Sequence, residues 1–176
     1  KCATCGNRVE HCHGHFGHIE LARPVVHVKH AKRLLYILRA MCHECSRVLL
    51  SEEQIDKFQK KLEVQQKLFG DITIKTFRQI MKVARKTKKC PYCGEKKEKV
   101  TMEKPTTFFI KGERLNAVDI RKLISTISVE DCAILGINTD STRPEWTILT
   151  VLPIPPVSVR PSITLDSGIR SEDDLT

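Results

Sequence analysis

Cysteines and histidines are the side chains most able to do chemistry in this chain, and their spacing is regular. Six of the eight cysteines stand in three Cys-x-x-Cys pairs: Cys2/Cys5, Cys42/Cys45 and Cys90/Cys93. Two thiolates at that spacing can face one cation across a tight turn, as in zinc knuckles. Secreted disulfide scaffolds seldom use it. A redox Cys-x-x-Cys would account for one pair and leave two over. Zinc completes a tetrahedron with four ligands, so each half-site needs a partner.

For Cys2 and Cys5 the partner lies in CHGHFGHIE, residues 12–20. Cys12 and His15 have the two-residue gap that lets both side chains reach one ion, and Gly14 permits the turn between them. His13, adjacent to Cys12, points elsewhere and reads as an exposed neighbour. His18 reads as a packed or hydrogen-bonded ring, and His11 and His27 as structural. The second set is Cys42, Cys45, Cys90 and Cys93. Cys132, among apolar neighbours, reads as a buried thiol. Catalytic zinc keeps an open position and a nearby base. Here each site has four protein ligands, HExxH is absent, and Cys90-Pro91-Tyr92-Cys93 lacks the HxE half of a deaminase signature. The expected cofactor is therefore two structural zinc ions, each supplying ~10–16 kcal/mol of apparent binding energy to folding. With 5% aromatic residues, the core needs such a staple.

The elements between the ligands must bring them together. Residues 46–89 separate the two halves of the second set. Ser51-Glu52-Glu53-Gln54 is a capping box. Ile55, Phe58, Leu62 and Phe69 follow near helical spacing, and Gly70 is a helix stop. Phe77, Ile80, Met81 and Ala84 mark a second helix, so an antiparallel hairpin would return Cys90 to Cys45. Leu34, Leu35 and Leu38 define a basic, apolar helix over 29–41. Helices are expected over 116–126 and 128–135, and strands over 106–110 and 146–152. The whole reads as α+β, a small zinc-stabilised module of a helical hairpin plus short strands. It divides into 1–45, 46–104, 105–162 and 163–176. VLPIPPVSVRPS has four prolines in twelve residues, favouring extended backbone. The Ser171-Glu172-Asp173-Asp174 cap signal should open a helix just as the chain stops. That, with the abrupt Lys1-Cys2 start, reads as a piece of a longer chain. No apolar run approaches the ~20 residues of a membrane span.

The formal charge is +9; seven thiolates and two dications would shift it to about +6. Residues 82–99 carry eight basic side chains, Lys86, Lys88 and Lys89 among them, against Glu95 and Glu98. They suit either a phosphate-facing surface or a solvated helix end. No aromatic series accompanies them, which argues against a single-strand platform.

Two long motifs carry a resemblance. CATC, six residues, then CHGHFGHIELARPVVHV, followed by LRAMCHEC, resembles the amino-terminal zinc region of the largest subunit of multisubunit RNA polymerases. RPEWTILTVLPIPPVSVRPSITLDSGIRSEDDLT is similar to a second signature of that family. The wording is archaeal or eukaryotic rather than bacterial, and nearer the archaeal. The resemblance implies the clamp core and clamp head, with structural zinc. It implies other polymerase subunits, DNA, the DNA–RNA hybrid and transcription factors as partners, in the cytoplasm if archaeal and the nucleus if eukaryotic. Residues 163–174 match the family's lid, with Arg170 and the preceding Arg160 as candidate nucleic-acid contacts. The NADFDGD motif that holds the magnesium of this nucleotidyltransferase is absent, so this stretch alone would not polymerise RNA. The chain departs from the pattern in two places: His13 replaces a proline, and Lys29-His30 replace Gly-Phe. The competing readings are a free-standing zinc-dependent DNA-binding regulator, which would need a base-reading helix, and a zinc hydrolase or deaminase, which would need an open metal position.

Overall fold

The computed structural model describes residues 1–69, 74–164, 166–174 and 176. The chain forms two compact units. One comprises Lys1–Ala22 with Thr150–Thr176, the other Arg23–Leu149.

The larger unit holds the core. Helix α1 (Ala31–Ala40) buries Ala31, Leu34, Ile37, Leu38 and Ala40, one stripe at helical spacing. Helix α2 (Glu52–Phe69) starts with two acids that complement its dipole. Ser51 N donates to Gln54 Oε1 at 3.1 Å, half of the expected capping box. Helix α3 (Ile74–Lys86) buries Thr76, Ile80, Met81 and Ala84. Lys61 bonds Gln79 at 2.6 Å and Gln65 bonds Thr76 at 2.9 Å. Residue numbers rise on one helix as they fall on the other, so the hairpin is antiparallel, as its sequence implies. The helix stop at Gly70 and the Phe69 side chain lie outside the described residues. Helix α3 packs on α1, and α2 on α5 (Val129–Ile134).

Strands β2 (Val100–Glu103), β3 (Thr107–Ile110) and β4 (Glu113–Leu115) form an antiparallel meander. Phe108 lies opposite Met102 on one side and Leu115 on the other, and it is fully buried. Lys111 and Gly112 both have positive φ, as a tight two-residue hairpin turn between β3 and β4 requires. Sequence reading finds β3 but passes over β2 and β4, which are short and polar. Asn116 caps α4 (Ala117–Ser125) through Asp119 N, and Ser128 caps α5 through Asp131 N. The core is almost wholly aliphatic, with Phe108 its largest fully buried side chain. Cys132 is buried there as expected, and burial pushes its thiol up to about 11.

Strands β1 (Gly17–Val26) and β5 (Ile148–Ile154) pair as a two-stranded sheet. The expected strand over 146–152 begins two residues later, because Pro144–Thr147 form a 3₁₀ turn. Strand β1 shows no alternating burial, so it has no period-2 signature to read. His18 sits on it and is exposed, so of the two roles read for its ring, packed or hydrogen-bonded, packing does not hold. Arg170–Ser171 form β7, antiparallel to β6 (Ile163–Thr164).

Candidate metal centres

Each Cys-x-x-Cys pair is presented by the same backbone turn. Cys2 N donates to Asn7 O and Gly6 N to Cys2 O; Cys42 pairs likewise with Arg47 and Ser46, and Cys90 with Glu95 and Gly94, all at 2.8–3.1 Å. The residue four after the first cysteine is left-handed in each: Gly6 at φ 71°, Ser46 at 58°, Gly94 at 73°. Glycine suits that conformation. Serine meets steric resistance there, and Ser46 Oγ is held by Thr126 Oγ1 at 2.6 Å.

The turns bring together the two donor sets expected from spacing. Cys2, Cys5, Cys12 and His15 form one, and Cys42, Cys45, Cys90 and Cys93 the other, with the ligand atoms of each set within 4.8 Å of one another. Neighbouring atoms are closer. Cys5 and Cys12 sulfurs lie 3.8 Å apart, and Cys12 Sγ lies 3.6 Å from His15 Nε2. Cys42–Cys93 and Cys45–Cys90 are each 3.6 Å. A tetrahedron with ~2.3 Å metal–sulfur bonds has sulfur–sulfur edges of about 3.8 Å. These spacings fit zinc and far exceed a disulfide bond of about 2.05 Å. Four soft or borderline donors per set leave no vacant coordination position, so the sets suit structural ions. The N–H groups of Cys5 and Thr4 hold the Cys2 thiol down at about 6. Burial pushes Cys45 up to about 12, so its thiolate needs a cation. Burial also raises Cys90, but the N–H groups of Cys93 and Tyr92 bring it to about 7.

In the first set the loop 12–15 is backed by the proline-rich segment. Ser158 Oγ donates to the carbonyl of His13 at 3.1 Å. Gly14 has φ +85°, and a Cβ there would lie 2.6 Å from Pro156 Cβ. Glycine is thus required both by the turn and by the approach of Pro156. His13 is exposed, and its ring is outside the donor set. His27 Nδ1 accepts from Lys29 N at 3.1 Å, the structural role expected of it.

The second set is fastened by side chains that sequence reading passes over. Asp131 on α5 is 1% exposed; one carboxylate oxygen accepts from Arg47 Nε and Val48 N, both at 3.0 Å. The Arg47 guanidinium lies 4.3 Å over the Tyr92 ring. One cation therefore joins α5, the turn at 42–47 and the turn at 90–95. His43 bonds Leu38 O at 2.9 Å through Nε2. No local pattern flags these contacts, because Arg47 and Asp131 are 84 residues apart.

The candidate nucleic-acid residues are divided between the two units. Lys86, Lys88 and Lys89 are exposed at and after the end of α3. In the other unit, Arg160 Nε donates to Pro155 O at 3.1 Å, and Arg170 is paired with Glu172 at 3.4 Å and bonds Ser162. No described helix is long and apolar enough to cross a membrane.

Comparison with known proteins places this architecture. The family model described as RNA polymerase Rpb1, domain 1, matches residues 1–176. The DNA-directed RNA polymerase subunit Rpo1N of Methanocaldococcus jannaschii is 48% identical over 99% of this chain and 13% of its own length. Subunits of the same name from Methanothermobacter thermautotrophicus and Sulfolobus acidocaldarius are 44% and 40% identical over all of this chain and 20% of their lengths. The chain thus spans a fifth or less of these relatives. With a family match along its whole length and relatives at 40–48% identity, the chain belongs to the RNA polymerase Rpb1 domain 1 family.

Proposed function

We propose that this chain is a clamp module of the largest subunit of a DNA-directed RNA polymerase, built to hold DNA and the DNA–RNA hybrid in the transcribing enzyme. The observation that carries the reading is the pair of complete donor sets within a chain whose full length belongs to this family. Cys2, Cys5, Cys12 and His15 would hold one zinc, and Cys42, Cys45, Cys90 and Cys93 the other. When bound, the ions supply cross-links that a lean aliphatic core does not. Residues 46–104 act as clamp head and 105–162 as clamp core. Residues 163–174 act as the lid, where Arg170, with Arg160 before it, meets nucleic acid. Lys86, Lys88 and Lys89 face phosphate. The polymerase's magnesium site and its nucleotidyl transfer lie elsewhere in the subunit, whose partners are the other polymerase subunits and the transcription factors that dock on the clamp. The site of action is the archaeal cytoplasm. A free-standing DNA-binding regulator is the weaker reading, since the relatives are polymerase subunits along all of this chain.

The test is the salt dependence of elongation-complex lifetime for a polymerase assembled with Lys86, Lys88 and Lys89 all changed to alanine. The logarithm of stability against the logarithm of salt should flatten by about 0.9 for each lost phosphate contact. An unchanged slope would remove these lysines from the nucleic-acid path.

A further inference from the structure

Helices α1 and α3 leave a groove between them that the zinc sites do not explain. Tyr36, Ile74, Phe77 and Met81 contribute its apolar surface. Ile74 is 70% exposed and Tyr36 42%, although both sit beside apolar neighbours. On α3 the lining residues recur as Ile74, Phe77, Arg78, Met81, Lys82 and Arg85, one continuous stripe at helical spacing. Lys29, Lys32 and Arg33 flank the same floor from the α1 side.

The charge is of one sign. Cations line the groove on both sides, and no carboxylate is among its lining residues. Arg33 spends its guanidinium on the carbonyl of Gly136 at 2.7 Å. None of the other lining cations makes an ion pair among the described residues, where the three salt bridges lie elsewhere. The crowding reaches inward: burial first, and then Arg85 and Arg39, bring Lys97 down to about 8.

We infer that this groove docks an acidic segment of a partner protein that carries apolar anchor residues on one face. The inference goes beyond the clamp reading, which shares only Lys86, the last residue of α3, with the lining of this groove. Charge complementarity calls for an anionic occupant, and the floor decides which kind. A phosphate backbone makes no use of Ile74 and Phe77. Bases stack on open aromatic faces, whereas Tyr36 and Phe77 meet edge to face at 84° with centroids 6.4 Å apart. An amphipathic acidic helix uses both features, setting its anchors at i, i+3, i+4 and i+7 into the floor and its carboxylates against the rim.

The experiment uses the assembled polymerase and a fluorescein-labelled probe: an amphipathic peptide of about 18 residues with Leu and Phe on one helical face and Glu elsewhere. A peptide of identical composition with its apolar residues dispersed is the control. The anisotropy titration should show binding of the first peptide and at least about tenfold weaker binding of the second. The double variant Arg78→Glu, Lys82→Glu should weaken the first peptide by about tenfold or more, and Ile74→Ser by several-fold. Lys60→Glu, on α2 outside the groove, should leave it unchanged. Retained zinc content shows that the variants are folded. Equal affinity for both peptides, or indifference to Ile74→Ser, would reduce the effect to bulk charge and overturn the proposal. So would displacement of the peptide by duplex DNA that loses affinity in the same variants. Binding to the isolated subunit but not to the assembled polymerase would assign the groove to another polymerase subunit and overturn it equally.

Discussion

Asp131 shows how much one side chain can carry. Its carboxylate satisfies a buried backbone N–H and a guanidinium at once. Removing it strands Val48 N in the core and releases Arg47 from its place over Tyr92. Asp131→Ala should therefore cost about 2–4 kcal/mol, the range for stranding a buried donor and a partly buried charge. The urea midpoint of the full-length subunit would fall with the slope unchanged. Arg47→Ala should cost less, since Asp131 keeps the Val48 bond. Equal losses would mean that the backbone bond contributes nothing. Cysteine spacing made all eight proposed ligands readable, and Gly14 with them, because knuckle geometry is local. Asp131, Arg47 and Ser158 were not readable: their partners are fixed only when distant elements pack.

Among the elements, the helices were the legible part. Three apolar stripes and one capping box placed α1, α2 and α3 within a few residues, and the helices read over 116–126 and 128–135 start where Asn116 and Ser128 cap α4 and α5. Strands were read poorly for a physical reason. Strand β1 is exposed on most positions, and β2 and β4 are only four and three residues long, so neither alternation nor length marks them. A pH dependence belongs at this scale, where the turn at 90–95 leads into Lys97. That side chain is half-buried, and its amine donates to Ala84 O at 2.9 Å. Burial and two arginines depress its folded pKa to about 8, below the unfolded lysine value. The unfolded chain then binds more protons between about pH 8 and pH 10.4, so stability should rise with pH across that window through this group. Thermal melts of the wild type and Lys97→Met should converge as pH rises through it, the variant being the more stable at pH 7. Parallel curves would show that Lys97 keeps its ordinary pKa.

For the whole molecule, the division into two units with one donor set in each makes the metal losses separable. His15→Ala should lower zinc by one ion per chain and raise hydrogen exchange in 1–22 and 150–176. Cys42→Ser should also remove one ion, but raise exchange within 23–149. His13→Ala should leave two. Metal analysis with exchange mass spectrometry on the full-length subunit checks all three, and a loss with His13→Ala would reassign the histidine ligand. The family was legible from two motifs near opposite ends of the chain. The division into units was not, because contacts rather than sequence order set it.

The three turns that hold the cysteines read CATCGN, CHECSR and CPYCGE, yet they share one hydrogen-bond scheme. The thiols are aimed by main-chain geometry, so the side chains of the two residues between each pair of cysteines carry no duty toward the metal. They are open positions on a rigid frame. One holds the end of α1 through His43, and another receives Arg47 on Tyr92. In the first turn, Ala3 and Thr4 are exposed and write nothing comparable. A polymerase lineage could thus alter what its metal loops touch, two residues at a time, without disturbing the ions.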